Sequence, residues 1–104
     1  HLIILKNISM SKYQTKIIKQ YEDDGYGVIK LSKTNKNGIA DLLVSKPNVR
    51  PLLIEVKESR DTLKPLQVAQ NKRLSLKMGF DFIVLQDGKG QLNIDDYDYK
   101  TDLF

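Results

Sequence analysis

The chain has 104 residues, with 17 Lys and Arg against 13 Asp and Glu, one His and no Cys. That length makes one domain with a single core, while the lack of cysteine excludes disulfides and thiolate metal centres and the lone His1 leaves a poor zinc set. No stretch reaches the roughly 18 apolar residues of a membrane span, and Leu2-Ile3-Ile4-Leu5 is too short for a signal-peptide core, so a soluble cytoplasmic protein is the default expectation.

Residues 1–10 read as a leader or vector-derived segment, because His1 stands where Met is expected and Met10 is a candidate native initiator. If native, Leu2 to Leu5 would add an edge strand or a dimer contact. Residues 11–23 predict a helix: Ser11 is a candidate N-cap, Tyr13, Ile17, Ile18 and Tyr21 recur at helical spacing, and Lys12, Lys16 and Lys19 fall on the other face. Asp24-Gly25 ends it, and residues 26–32 alternate as a strand. A polar loop, residues 33–38, leads into a second strand over 39–44, with Gly38 relaxing the backbone ahead of Asp41. A hairpin through residues 45–50 returns the chain antiparallel into a third strand, 51–57, opened by Pro51.

After a charged loop, Pro65 opens a helix running to about Met78, with Leu66, Ala69, Arg73 and Leu76 on a mixed inner face and Gly79 as its C-cap. Residues 80–85 form the next strand, parallel to the third because a helix joins them. Asp87 to Gly90 make a turn into a short edge strand over 91–94. The expected fold is α/β, a mixed sheet of about four to five strands flanked by helices, over residues 11–94. Asp95, Asp96, Asp98 and Asp102 then stand beside Lys100 in an acidic tail, residues 95–104, so the body ahead of it carries 16 basic against 9 acidic residues. Such a body attracts a phosphate backbone without reading sequence, although a lysine-rich solubilising surface has the same composition.

Two motifs carry chemistry. Asp41 closes Gly38-Ile39-Ala40-Asp41, and Glu55-Val56-Lys57 ends the third strand. Alternation puts Glu55 and Lys57 side by side on one face, and the hairpin brings Asp41 near Glu55. Two converging carboxylates suit a hard divalent cation such as Mg²⁺, which lowers the pKa of a bound water and polarises a phosphoryl group. Lys57 beside them would orient or deprotonate the attacking water, or stabilise charge in the transition state. Taken alone, Glu55 and Lys57 also read as an exposed ion pair and Asp41 as a turn cap.

In order and spacing, Gly38-x-x-Asp41, the apolar strand ending Glu55-x-Lys57, and the helix opening Leu63-Lys64-Pro65-Leu66-Gln67 resemble the PD-(D/E)xK nuclease superfamily, most closely its small VRR-NUC and Holliday-junction-resolvase-like branches, over residues 11 to 86. The resemblance implies a restriction-endonuclease-like core and a metal-dependent DNA endonuclease, selective for branched or flapped structure, using Mg²⁺ or Mn²⁺. It implies Asp41 and Glu55 as metal ligands with the Val56 backbone carbonyl, Lys57 as the catalytic lysine, and Gln67 pointing into the site from the following helix. Lys33, Lys36, Arg60 and Lys64 would then contact DNA, with a homodimer or partner domain supplying specificity. Ala40 replaces the usual proline before the aspartate, and the stretch of the first helix where many members carry an acid, residues 11–16, has none, Gln14 being the nearest polar candidate and Glu22 lying late in the helix. The alternative is a catalytically silent nucleic-acid-binding or assembly module with the same fold; an interaction domain with a basic surface is the third reading.

Overall fold

A computed structural model describes residues 12–36 and 38–97. Helix α1 spans Lys12–Asp23 and is followed by strands β1 (Gly27–Lys30), β2 (Leu42–Ser45) and β3 (Leu52–Lys57). Helix α2 (Pro65–Met78) then leads to β4 (Asp81–Gln86) and β5 (Gly90–Gln91). The five strands lie in the sheet in chain order, antiparallel throughout except for the parallel β3–β4 pair that α2 connects. This is the expected α/β mixed sheet. The proposed Ser11 cap, the leader and residues 98–104 lie outside the described residues.

Strand alternation divides the core between the two faces. Leu42, Val44 and Ile54 point to one face, where Ile17 of α1 meets them and Tyr13, Ile18 and Tyr21 pack around the cluster. The other face carries Leu53, Glu55 and Lys57 of β3 with Val84 and Gln86 of β4, and α2 covers it, burying Val68, Ala69, Asn71 and Ser75. The expected inner face of α2 is thus corrected. Ala69 is buried, but Leu66 and Leu76 are 57% and 63% exposed, and Arg73 is exposed as well. Polar Asn71 and Ser75 occupy the buried stripe, so the helix has little amphipathic contrast to read.

Turn chemistry fixes the connections. Lys46-Pro47-Asn48-Val49 is a β-turn closed by Val49 N–H to the Lys46 carbonyl at 3.2 Å, with Asn48 at φ 65°. Proline second and a left-handed residue third are the type II pattern, in which asparagine tolerates the positive φ. Pro65 starts α2, and Gly79 ends it at φ 79°, its N–H bonded to the Ser75 carbonyl. The strands are shorter than expected where polar residues flank them: β1 stops at Lys30, and only Gly90 and Gln91 of the last segment pair with β4. Beyond β5 the Leu92 N–H still donates to the Val84 carbonyl of β4 at 2.9 Å, and further on the chain is tied to α2, because the Lys72 ammonium donates to the Ile94 and Tyr97 carbonyls at 2.9 and 2.8 Å. Among the described residues no helix is long and apolar enough to cross a membrane.

The two faces of α2 should differ in mutational cost. Replacing buried Val68 by Ala is expected to lower the unfolding free energy by about 1–3 kcal/mol, and Leu76→Ala by less than about 0.5 kcal/mol. Urea denaturation measures both, and equal losses would contradict the burial described for α2.

Candidate active site

The site forms where β2 begins and β3 ends. Leu42 pairs with Ile54, so an unbroken ladder would set Asp41 opposite Glu55. The chain bends there: the Asp41 N–H donates to the Ile54 carbonyl at 3.0 Å, one residue out of register, while its own carbonyl accepts the Leu31 N–H at 2.8 Å. Asp41 therefore lies just outside β2, not within a strand as the sequence predicts. The bend frees its side chain to do what a backbone carbonyl would otherwise do. Its Oδ2 accepts the Val56 N–H at 2.8 Å and so continues the edge of β3 past the end of β2. The N–H and C=O of a strand residue face the same neighbour, so the Val56 carbonyl faces this space too.

Glu55 and Lys57 lie on the α2 face of β3, as alternation requires. Glu55 is 5% exposed; its Oε2 is 3.4 Å from the Lys57 Nζ, and its Oε1 is buried without a hydrogen-bond partner. The reading of this pair as an exposed surface contact is excluded. Burial, and after it the neighbouring Asp41 carboxylate, push Glu55 up to about 7 against the opposing pull of Lys57. Burial also raises Asp41, offset in part by the Val56 N–H and Lys57. The arrangement is two carboxyl groups and one ammonium in a largely desolvated corner, with an acceptor oxygen left over. That oxygen and the all-carboxylate donor set fit a hard cation, which accepts oxygen ligands and offsets the excess negative charge. Among the described residues no group of three His, Cys, Asp or Glu side chains gathers, so Asp41 and Glu55 stand there as a pair of acids.

The other residues singled out in the sequence surround this corner at varying range. Gln67 lies on the first turns of α2, its Cγ 3.8 Å from where a Cβ on Gly38 would stand, which sets it against the segment leading to Asp41. Lys33 and Lys36 are exposed and line a shallow cleft with Ser32, Thr34 and Gly38. Arg60 and Lys64 are exposed on the connection from β3 to α2, Lys64 being the N-cap residue. Gln14 is half-buried on the first turn of α1. Its neighbour Tyr13 is raised by burial and then by the Asp87 carboxylate, which places the start of α1 at the same end of the sheet as the site.

Two buried amides were missed in the sequence. Asn71 on α2 accepts the Ala40 N–H at its Oδ1, 2.9 Å, and donates through Nδ2 to the Gly38 and Gln67 carbonyls, both at 2.8 Å. Gln86, beside Lys57 in the β3–β4 register, donates to the Glu58 and Asp61 carbonyls at 2.9 Å. One holds the segment entering the site, and the other holds the loop leaving it. Neither has a local signal in the sequence, since every partner outside the helix turn lies more than 20 residues away.

The chain matches no protein-family profile and no curated protein. Among solved structures it is similar to Hjc of Archaeoglobus fulgidus, a Holliday junction resolvase from an archaeal hyperthermophile, with a TM-score of 0.60 and 17% identity. The match covers 73% of this chain and 65% of the resolvase. At that identity the fold is what the two share: the restriction-endonuclease-like core expected from the sequence.

The raised Glu55 fixes the sign of a pH effect. Its folded-state value of about 7 lies above the ordinary 4.5, so the neutral acid favours folding. That contribution is complete below about 4.5 and is lost as pH rises through about 7, with a size on the order of 3 kcal/mol at most. In EDTA, thermal stability is expected to fall between pH 5 and 8, and Glu55→Gln should flatten the fall and raise the melting temperature at pH 8. A wild type and variant with parallel pH profiles would contradict the buried-acid description.

Proposed function

We propose that this chain is a metal-dependent DNA endonuclease that hydrolyses phosphodiester bonds, selective for branched or flapped DNA. The observation that carries the reading is the buried Asp41–Glu55 pair with its unpartnered Glu55 Oε1 and the adjacent Lys57 ammonium. Asp41, Glu55 and the Val56 carbonyl would hold Mg²⁺ or Mn²⁺. Bound there, the ion supplies a water of lowered pKa and offsets charge on the phosphoryl oxygens. Lys57 orients that water or stabilises the negative charge that grows as the bond from water to phosphorus forms and the bond to the leaving sugar oxygen breaks. Gln67 is assigned to the site from α2. Lys33, Lys36, Arg60 and Lys64 would hold phosphates on either side, binding that is independent of sequence and weakened by salt.

Selectivity for branched DNA is supported by the fold shared with an archaeal Holliday junction resolvase, and by a domain too small to read a long sequence on its own. A second copy or a partner domain would supply further specificity. The presence of two acidic ligands, not three, among the described residues favours one competing reading, a catalytically silent nucleic-acid-binding or assembly module.

Incubation with linear, nicked, flapped and four-way DNA in Mg²⁺, Mn²⁺ or EDTA decides between them. The enzyme reading expects metal-dependent cleavage, strongest on branched substrates, that falls by about 10²-fold or more in both Asp41→Ala and Lys57→Ala while DNA binding persists. Salt-sensitive binding without wild-type cleavage in any metal would establish the silent module, and absence of both would leave only an interaction domain.

A further inference from the structure

Asp41 would be a precise ligand only if the backbone carrying it is held, and it sits outside regular structure. The residues before it, Gly38 to Ala40, lie in no strand, so their polar groups find no ladder partner. The side chain of Asn71 takes that place. It is fully buried, and its amide is used at three points: Oδ1 on the Ala40 N–H, Nδ2 on the Gly38 carbonyl, and Nδ2 on the Gln67 carbonyl one helical turn back. The Gln67 bond anchors the amide to α2, which leaves the other two edges aimed at the incoming segment. Gly38 completes the fit. It is at φ 74°, and a Cβ there would stand 3.2 Å from the Gln70 Oε1, so the backbone lies flat against α2 at this point.

The hydrogen bonds then run in series. Asn71 holds Ala40; the next residue, Asp41, gives its N–H to Ile54 and receives the Val56 N–H on its carboxylate. We propose that Asn71 is a positioning residue that fixes the Asp41 carboxylate against β3 through its amide clamp on Gly38 and Ala40. The clamp requires an N–H at position 40. Ala40 supplies it, where the proline of the resembled pattern would leave the buried Asn71 Oδ1 without a donor. The chain thus holds this segment by a long-range amide in place of a rigid local ring. The role in metal binding rests on the nuclease reading given above; the placement of Asp41 does not.

The experiment separates these two layers. Asn71→Leu keeps the approximate volume and removes all three hydrogen bonds, and Gly38→Ala presses the segment away from the helix with Asn71 intact. Amide hydrogen exchange of the metal-free protein, followed by NMR, reads the position of the Asp41 carboxylate at the Val56 N–H that it accepts. The expected result is exchange about tenfold faster at Val56 and Ala40 in Asn71→Leu, and a smaller change in the same direction in Gly38→Ala, with the amides of β4 unchanged. Unchanged protection at Val56 in a folded Asn71→Leu would overturn the proposal. If Asn71→Leu does not fold, Gly38→Ala decides it by the same criterion at Val56.

Titration with Mn²⁺ alone supplies the second layer. Affinity should fall about 10- to 100-fold in Asn71→Leu, and raising Mn²⁺ should restore much of its cleavage rate, which it cannot do for Asp41→Ala. DNA affinity in EDTA should not change. If the wild type neither binds Mn²⁺ nor cuts DNA, the nuclease reading fails, while exchange at Val56 still tests the clamp. Wild-type Mn²⁺ affinity in an Asn71→Leu protein whose Val56 amide is deprotected would show that the clamp fixes Asp41 without serving the metal, overturning that part.

Discussion

The rest of this structure is arranged around one constraint: two carboxyl groups share a desolvated corner with a single ammonium. Glu55 is buried in the middle of a core layer, where an apolar side chain of similar volume would serve packing as well or better. One cation cannot satisfy two ionised carboxylates, and a free buried acceptor adds the desolvation penalty of an unmade hydrogen bond. The metal-free protein relieves the strain by holding a proton on Glu55 up to about neutral pH. A divalent cation would relieve it by replacing that proton and occupying the free oxygen. The same burial that disfavours two ionised carboxylates in this corner therefore favours a positive ligand in it.

Such a corner needs a scaffold that does not yield, and the topology supplies one. Because β3 and β4 are parallel, the chain must cross back over the sheet, and α2 crosses on the face that Glu55 and Lys57 occupy. The helix and the strand that follows it are thereby placed to hold one end of the problem each. Asn71 grips the segment that delivers Asp41, and Gln86, on the parallel partner strand, grips the loop that follows Lys57. These amides are neutral, so they immobilise the site without changing its charge. A lysine or carboxylate in either position would have shifted the balance that holds Glu55 near neutrality.

What could be read in the sequence depended on whether a feature was local. Helix α2 was legible at both ends because Pro65 and Gly79 act through their own backbone geometry, and β3 because its apolar run is bounded by Pro51 and the charged Glu58 to Asp61 loop. The parallel pairing followed from the crossover. Asp41 and Glu55 were legible as a pair because a hairpin is a short-range device, but the bend at Asp41 was not, since it depends on the Val56 N–H donating to a side-chain carboxylate in place of a backbone carbonyl. Asn71 and Gln86 carried no signal for a stronger form of the same reason: their partners are distant in the chain, and a polar residue on a helix reads as solvent-facing by default. Leu66 and Leu76 misled in the opposite direction. They suggested an inner face for α2 that packing assigns instead to smaller and more polar residues.

In the proposed nuclease reading, a first helix whose first turn holds no acid is not disabling. A magnesium ion keeps several of its waters and commonly takes only one or two carboxylates from the protein, with substrate phosphate completing its octahedron. Asp41, Glu55 and the Val56 carbonyl would meet that minimum, and each further carboxylate in so dry a corner would raise the cost of the metal-free state. The corner is already near the limit, with Glu55 protonated up to about 7 and Asp41 raised as well. A set this small would bind metal weakly alone and firmly once a phosphodiester lies across it, so ion and substrate favour each other's binding. Exposed Lys33, Lys36, Arg60 and Lys64 fit that order of events, since they attract a phosphate backbone before any metal contact is made.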